Sequence, residues 1–384
     1  MSAGVRAAVA VERITRASRR SATLGAAVEG AVSLAMGEPD GGTPPAVVDA
    51  AIAALKDGRT RYAPMTGAPA LRGAIAADVT GRTGRQTTPD EVVLTHGGSA
   101  ALGAAFLALL NPGDKVLIPE PTYSLYADQA ALAGAEVVWV PPRRDGSLDL
   151  EALRREAADA RLLVLCNPGN PTGAVYGPAE LLGVAELLLE NPNLVLLSDE
   201  AYGTIVFDGV PFVSALSLER VPGQVLVCGT FSKSYAMTGW RLGYVIAPTA
   251  LADPVSLIHR TLNGPLNTFV QDAALTALET SEEDLEQLRE SYQARRDLVL
   301  AKLGTEPRVS LRRPQGAFYA FPRIDTTLGS DAMAARFAEA GVLVRPGSEF
   351  GASGEGHVRL SFATDTESLE AALERLLAAV RDMP

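Results

Sequence analysis

Lysine is scarce in this chain: Lys56, Lys115, Lys233 and Lys302 are the only four among 384 residues. The other basic side chains are arginines, a bias read as that of a GC-rich coding sequence. Cysteine is scarcer still. Cys166 and Cys228 stand far apart, without the close, even spacing of a disulfide framework, so reduced thiols are expected. No apolar run reaches the ~20 residues of a membrane helix, the longest lying around 100–110. Positive charge is in deficit. A net charge of −11 argues against a nucleic-acid or anionic-membrane surface, and an acidic cytoplasmic protein is the expectation. No nucleic acid, membrane or metal is assigned as a partner.

What is present is apolar material, 47 % of the chain, enough for a large core. Single cores stop growing near ~250–300 residues, so two domains are expected. From Val47 to about Val245, helical stretches alternate with short apolar strands at 91–95, 115–119, 136–140, 161–166, 194–198, 224–228 and 242–246. That alternation predicts an α/β fold, a mostly parallel sheet sandwiched by helices. After Thr268 the texture changes. A charged helix over 281–302, strands at 316–321, 342–344 and 357–362, and an amphipathic helix over 368–381 predict a smaller α+β domain. The division is 46–267 for the large domain and 1–45 with 268–384 for the small one. Arg6, Arg13, Arg16, Arg19 and Arg20, against Glu12 alone, are read as an N-terminal helix and not as a transit peptide.

Ligands of open α/β sheets bind at the carboxyl ends of strands, where several polar groups of this chain fall. Lys233 sits in Gly229-Thr230-Phe231-Ser232-Lys233-Ser234, with Arg241 eight positions on. A lysine among hydroxyl groups and an arginine suits a phosphate-bearing aldehyde: the amine forms an imine while Thr230, Ser232 and Arg241 hold the anion. Gly98 and Ser99 open a helix whose free amides attract a phosphate. Tyr123 could stack on a planar ring. Asn170 lies in Asn167-Pro168-Gly169-Asn170-Pro171-Thr172-Gly173, a rigid loop with an amide donor. Asp199, in Asp199-Glu200-Ala201-Tyr202, ends a buried strand and needs a cationic partner there.

These segments, with Ser232-Lys233-Ser234-Tyr235-Ala236-Met237-Thr238-Gly239-Trp240-Arg241-Leu242-Gly243-Tyr244, resemble the class I/II aminotransferases, fold type I pyridoxal-phosphate enzymes. The likeness runs from about Leu34 to the C-terminus. It implies pyridoxal 5′-phosphate as cofactor and Lys233 as its aldimine lysine and proton shuttle. It implies that Asp199 pairs with the pyridine nitrogen, that Asn170 and Tyr202 bond the ring's phenolic oxygen, and that Tyr123 stacks. Gly98, Ser99, Thr230, Ser232 and Arg241 become the phosphate cup. Gly37, in Gly37-Glu38-Pro39-Asp40, matches a loop that closes on substrate, and Arg359 matches the clamp for an α-carboxylate, a task suited to a bidentate fork. Tyr62 matches a tyrosine reaching the neighbouring subunit's phosphate, which implies a homodimer with shared sites.

The expected reaction moves the amino group of an L-amino acid to a 2-oxo acid. Shared cofactor machinery also serves elimination, replacement or cyclisation, the alternative reading. A ligand-sensing transcription regulator on this fold is disfavoured, since the roughly thirty residues before Leu34 are too few for a winged helix-turn-helix with its linker. His96 stands where the family usually has a small or apolar residue, and the sequence offers no account of it.

Overall fold

The computed structural model describes residues 7–20, 29–279 and 282–384. Arg6 and Ser281 lie outside the described residues. Seven strands form one sheet: β1 (Val92–Thr95), β2 (Lys115–Pro119), β3 (Glu136–Val140), β4 (Ala160–Cys166), β5 (Val195–Asp199), β6 (Val225–Thr230) and β7 (Gly243–Ile246). Their spatial order is β1-β7-β6-β5-β4-β2-β3. Only β7 runs against the rest, pairing antiparallel with both β1 and β6.

The central strands are mostly apolar because both faces of the sheet are covered. Side chains alternate across it with period two. Leu163, Leu165, Leu196 and Val227 enter one core, while Leu162, Val164, Leu197 and Leu226 enter the other. Helices Gly98–Leu109, Leu125–Ala133 and Thr249–Asn263 cover the second face with Leu102, Phe106, Tyr126 and Val255. Helices Pro69–Thr83, Pro178–Glu190 and Thr268–Leu278 cover the first with Leu71, Ile75, Leu188 and Ala273. The parallel strands β1, β2, β4, β5 and β6 consequently end at one edge of the sheet. Everything following them in sequence gathers there.

A third core is built from the other parts of the chain. Leu34, Phe318, Phe337, Leu360, Phe362 and Leu373 pack with Tyr202, Ile205 and Phe207, which follow β5. Leu34 joins it through backbone bonds to Leu343 (2.8 Å) and Ser361 (2.7 Å). Arg296, fully buried, reaches Asp208 with both terminal nitrogens at 2.6 and 2.8 Å. The stretch expected as a strand over 316–321 is a strand at Tyr319–Ala320, with a separate antiparallel bridge from Gly316 to Val206. Ala317 takes φ 57° and donates its N–H to the Ile205 carbonyl, turning the chain towards the large sheet.

The expected N-terminal helix is present as Val9–Ala17, carrying Arg13 and Arg16, with Arg19 and Arg20 following it. Arg13 bonds the carbonyl of Ala131 at 2.9 Å, in the last turn of Leu125–Ala133, where a cation meets the negative end of the dipole. No helix among the described residues is long and apolar enough to cross a membrane.

Candidate active site

Strand β6 delivers Lys233 on a single helical turn, Phe231–Ser234. Thr230 caps that turn, its Oγ1 accepting the Ser232 N–H at 3.1 Å and donating towards the Leu242 carbonyl at 3.2 Å. Thr230, Ser232 and Lys233 thus face one cavity of about 350 Å³. The Lys233 Nζ donates to the Gly37 carbonyl at 2.5 Å. Burial brings its amine down from 10.5 to about 8; Glu38 opposes this, and the arginines 359 and 241 reinforce it. An amine so tuned is more readily a nucleophile near neutrality.

The β1 end forms the opposite wall. Gly97 has φ 80°, and a Cβ there would stand 2.6 Å from Nη2 of Arg241. A Cβ on Gly243 would meet Gly97 C at 2.8 Å and Gly98 N at 2.9 Å. Glycine is required at both, and the backbone lies flat against the guanidinium. Gly98, Ser99 and Arg241 line the cavity together. Arg241 is itself left-handed, φ 57°, and is anchored through Nη1 to the Thr238 carbonyl at 2.7 Å.

Asp199 ends β5. Its Oδ2 accepts from the Tyr126 phenol at 2.7 Å and its Oδ1 from the Ala201 N–H at 3.2 Å. Burial raises its pKa while those two donors and Lys233 lower it, leaving it above the ordinary carboxylate value. Among the described residues no cation lies within ion-pair distance of it, so these residues do not supply the partner expected from the sequence. Asn170 presents Oδ1 to Nη1 of Arg359 at 3.1 Å, which leaves its amide NH₂ to donate elsewhere. The Tyr202 hydroxyl lies 2.8 Å from that of Tyr319. Tyr123 meets Tyr126 edge-on, 5.7 Å between centroids.

The third core contributes Arg359, 6 % exposed, between the rings of Tyr319 (4.5 Å) and Phe350 (5.1 Å). Its Nη2 donates to the Ala35 carbonyl at 2.6 Å, and its Nε is a buried donor without a partner among the described residues. Gly37 packs against the Tyr319 ring: a Cβ would lie 2.1 Å from its hydroxyl. Twelve of the thirteen residues singled out in the sequence line the cavity. Tyr62 does not. It is 93 % exposed and absent from the lining.

Several lining or backing residues escaped the sequence reading. Tyr126 follows Tyr123 by three positions, a one-turn spacing that could have marked it. Tyr319, Arg345 and Glu349 arrive from distant segments, the last two paired at 2.8 Å. Arg20 lies beyond the end of its helix, with Nη2 donating to the Tyr123 hydroxyl at 3.0 Å and Nε 3.5 Å from Asp128.

Comparison with known proteins gives a consistent result. Residues 29–376 match the family described as aminotransferase class I and II. The chain is 40 % identical to an aspartate/prephenate aminotransferase of Thermus thermophilus, over 90 % of this chain and 89 % of that one. It is 36 % identical to aromatic-amino-acid aminotransferase 2 of Thermococcus litoralis, over 95 % of each. The crystal structure of an aromatic aminotransferase from Pyrococcus horikoshii superposes with a TM-score of 0.90 at 35 % identity, covering 97 % of this chain and 99 % of that one.

Proposed function

The chain belongs to the class I and II aminotransferases, fold type I enzymes that move amino groups with pyridoxal 5′-phosphate, and from that premise we propose that it transfers the amino group of an L-amino acid to a 2-oxo acid at the cavity around Lys233. The observation carrying this reading is Asp199, a buried carboxylate facing the cavity with no ion-pair partner among the described residues. Such a group is costly unless a positive charge is brought to it, and a protonated pyridine nitrogen is one. The glycine backbone flat against Arg241 fits a phosphate equally well. The residues present therefore fit the cofactor.

When bound, pyridoxal 5′-phosphate supplies a ring that delocalises the electron pair left at Cα of the amino acid. Lys233, buried with an amine near neutrality, anchors the cofactor and then carries the proton from Cα. Asp199 holds the ring nitrogen, and Tyr126 holds Asp199. Asn170, oriented by Arg359, and Tyr202, oriented by Tyr319, donate to the phenolic oxygen. Tyr123 stacks on the ring. Gly98, Ser99, Thr230, Ser232 and Arg241 grip the phosphate. Arg359 clamps the α-carboxylate, for which its unpartnered Nε is available, and the Gly37 segment closes over the substrate.

The proposed unit is a homodimer in which Tyr62 completes the partner's phosphate site. Tyr62 is free to cross, and a second cavity of about 730 Å³ opens beside Arg241, lined by Glu38, Thr238, Trp240 and Phe269. The division into 46–267 and 1–45 with 268–384 is proposed as the domain organisation, supported by a separate core around Phe318. Cytoplasmic location is proposed from the acidic charge.

Half-reactions test the function. An amino donor alone should convert the bound cofactor to its pyridoxamine form with release of one oxo acid, and 2-oxoglutarate or another oxo acid should restore the starting spectrum. Ammonia release or cyclised product with no acceptor present and no pyridoxamine form would overturn the reading.

A further inference from the structure

His96 lines the second cavity beside Arg241 and not the one around Lys233, and it is the residue joining β1 to the Gly97-Gly98 turn. Its backbone N–H donates to Nε2 of His259 at 3.2 Å, and its Nδ1 lies 3.2 Å from the same nitrogen. A backbone N–H can only donate, so Nε2 of His259 is unprotonated and the second contact takes its proton from Nδ1 of His96. The rings stack, 5.2 Å between centroids at 27°. His259 is 1 % exposed, on helix Thr249–Asn263, which packs along Gly98–Leu109. That helix contributes nothing to the cavity lining. Nε2 of His259 takes both donors from a single residue at the base of the turn.

The turn leaves no slack for that residue to move. Gly97 is pressed against the Arg241 guanidinium on one side, and Gly97 and Gly98 against Gly243 on another. A shift at position 96 would therefore be felt at the Gly98 amide and at Arg241.

We propose that His259 is a positioning residue for phosphate recognition: through His96 it sets the Gly98 and Ser99 amides against Arg241, and with them the preference for a phosphorylated cofactor over its dephosphorylated form. The proposal rests on the phosphate-site reading of Gly98, Ser99 and Arg241. It assigns the two histidines a role that neither plays by touching the ligand.

The test is equilibrium binding of pyridoxal 5′-phosphate and of pyridoxal to cofactor-free protein, followed by absorbance. His259→Leu should weaken the phosphate ester by about fivefold or more, the effect of losing one or two buried hydrogen bonds, and leave pyridoxal within about twofold. His259→Gln, which restores an acceptor oxygen, should recover most of the loss. Equal weakening of both ligands, unchanged binding, or no rescue by glutamine would overturn the proposal. Should His259→Leu not fold, His96→Ala decides. It keeps the backbone donor and removes the ring donor, so a loss of about threefold confined to the phosphate ester supports the proposal. An equal loss for both ligands, or none, overturns it. A parent protein with no preference for the phosphate ester would instead overturn the phosphate-site reading.

Discussion

The phenol of Tyr126 donates to Oδ2 of Asp199 at 2.7 Å, and both side chains are buried. The bond stabilises the anion, whereas burial favours the neutral acid and prevails. Asp199 is thus a carboxyl group whose pKa stands above the ordinary value, and a cation brought to it would favour its charged form. Asp199→Asn should lower kcat by at least about a hundredfold, the scale of removing a key electrostatic stabiliser, with cofactor retained. Tyr126→Phe should do less at neutral pH. Losing a donor to the anion raises the Asp199 pKa further, so the acidic limb of kcat/KM should move to higher pH. An unmoved limb would separate Tyr126 from the carboxylate's function.

Lys233 differs from the other three lysines in being mostly buried within the cavity lining. Borohydride treatment of cofactor-loaded protein should place the pyridoxyl group on the peptide containing Lys233. Label on Lys56, Lys115 or Lys302 would end the assignment. In cofactor-free protein, reductive methylation of Lys233 should have a midpoint near pH 8, the value to which burial lowers its amine. The free amine reacts, so the rate rises with pH through that midpoint.

Arg359 offers a planar fork between two aromatic rings. Arg359→Lys keeps the charge and loses the bidentate geometry, so kcat/KM for the amino donor should fall by about tenfold or more. An amine without an α-carboxylate should lose little. Equal losses for both donors would exclude a carboxylate clamp.

Tyr62 is exposed and lines no part of the cavity around Lys233, as the proposed homodimer requires. Mixing Lys233→Ala protein with Tyr62→Phe protein should generate heterodimers with one site free of both changes. Activity should then exceed that of either variant alone. No recovery, despite demonstrated subunit exchange, would count against shared sites.

Burial holds the His259 imidazole down to about 4 from 6.5, with His96 adding to the effect. The unfolded chain therefore takes up this proton at a higher pH than the folded one does. Stability from the neutral ring is complete above about 6.5 and declines as pH falls through 4. His259→Gln removes that titration, so its melting temperature should fall less than the parent's between pH 7 and 4.5. Parallel curves would mean that other groups govern the acid limb.

The sheet was legible from sequence because the middle of a strand buried on both faces has to be apolar at successive positions, as in 162–166 and 194–197, and turn-formers separate such runs. The ligand-facing residues were legible for a related reason. Parallel strands put their carboxyl ends at one edge, so Gly98, Tyr123, Asn170, Asp199 and Lys233 converge once the strands are placed. Direction was decided otherwise: β7 carries the same apolar signature as its neighbours, and only its pairing with β1 and β6 makes it antiparallel.

Contacts between remote segments depended on tertiary structure alone. Tyr126 beneath Asp199, Tyr319 against Tyr202, Arg20 on Tyr123 and His259 under His96 join residues 73 to 163 positions apart. Local periodicity reports which face of an element is buried and carries no information about which distant side chain meets it. Lys233, Asp199 and Arg359 could be found from the sequence, where motif and strand end coincide. The groups that hold them, and the pair that braces the glycine turn, were set by packing three apolar cores around one cavity.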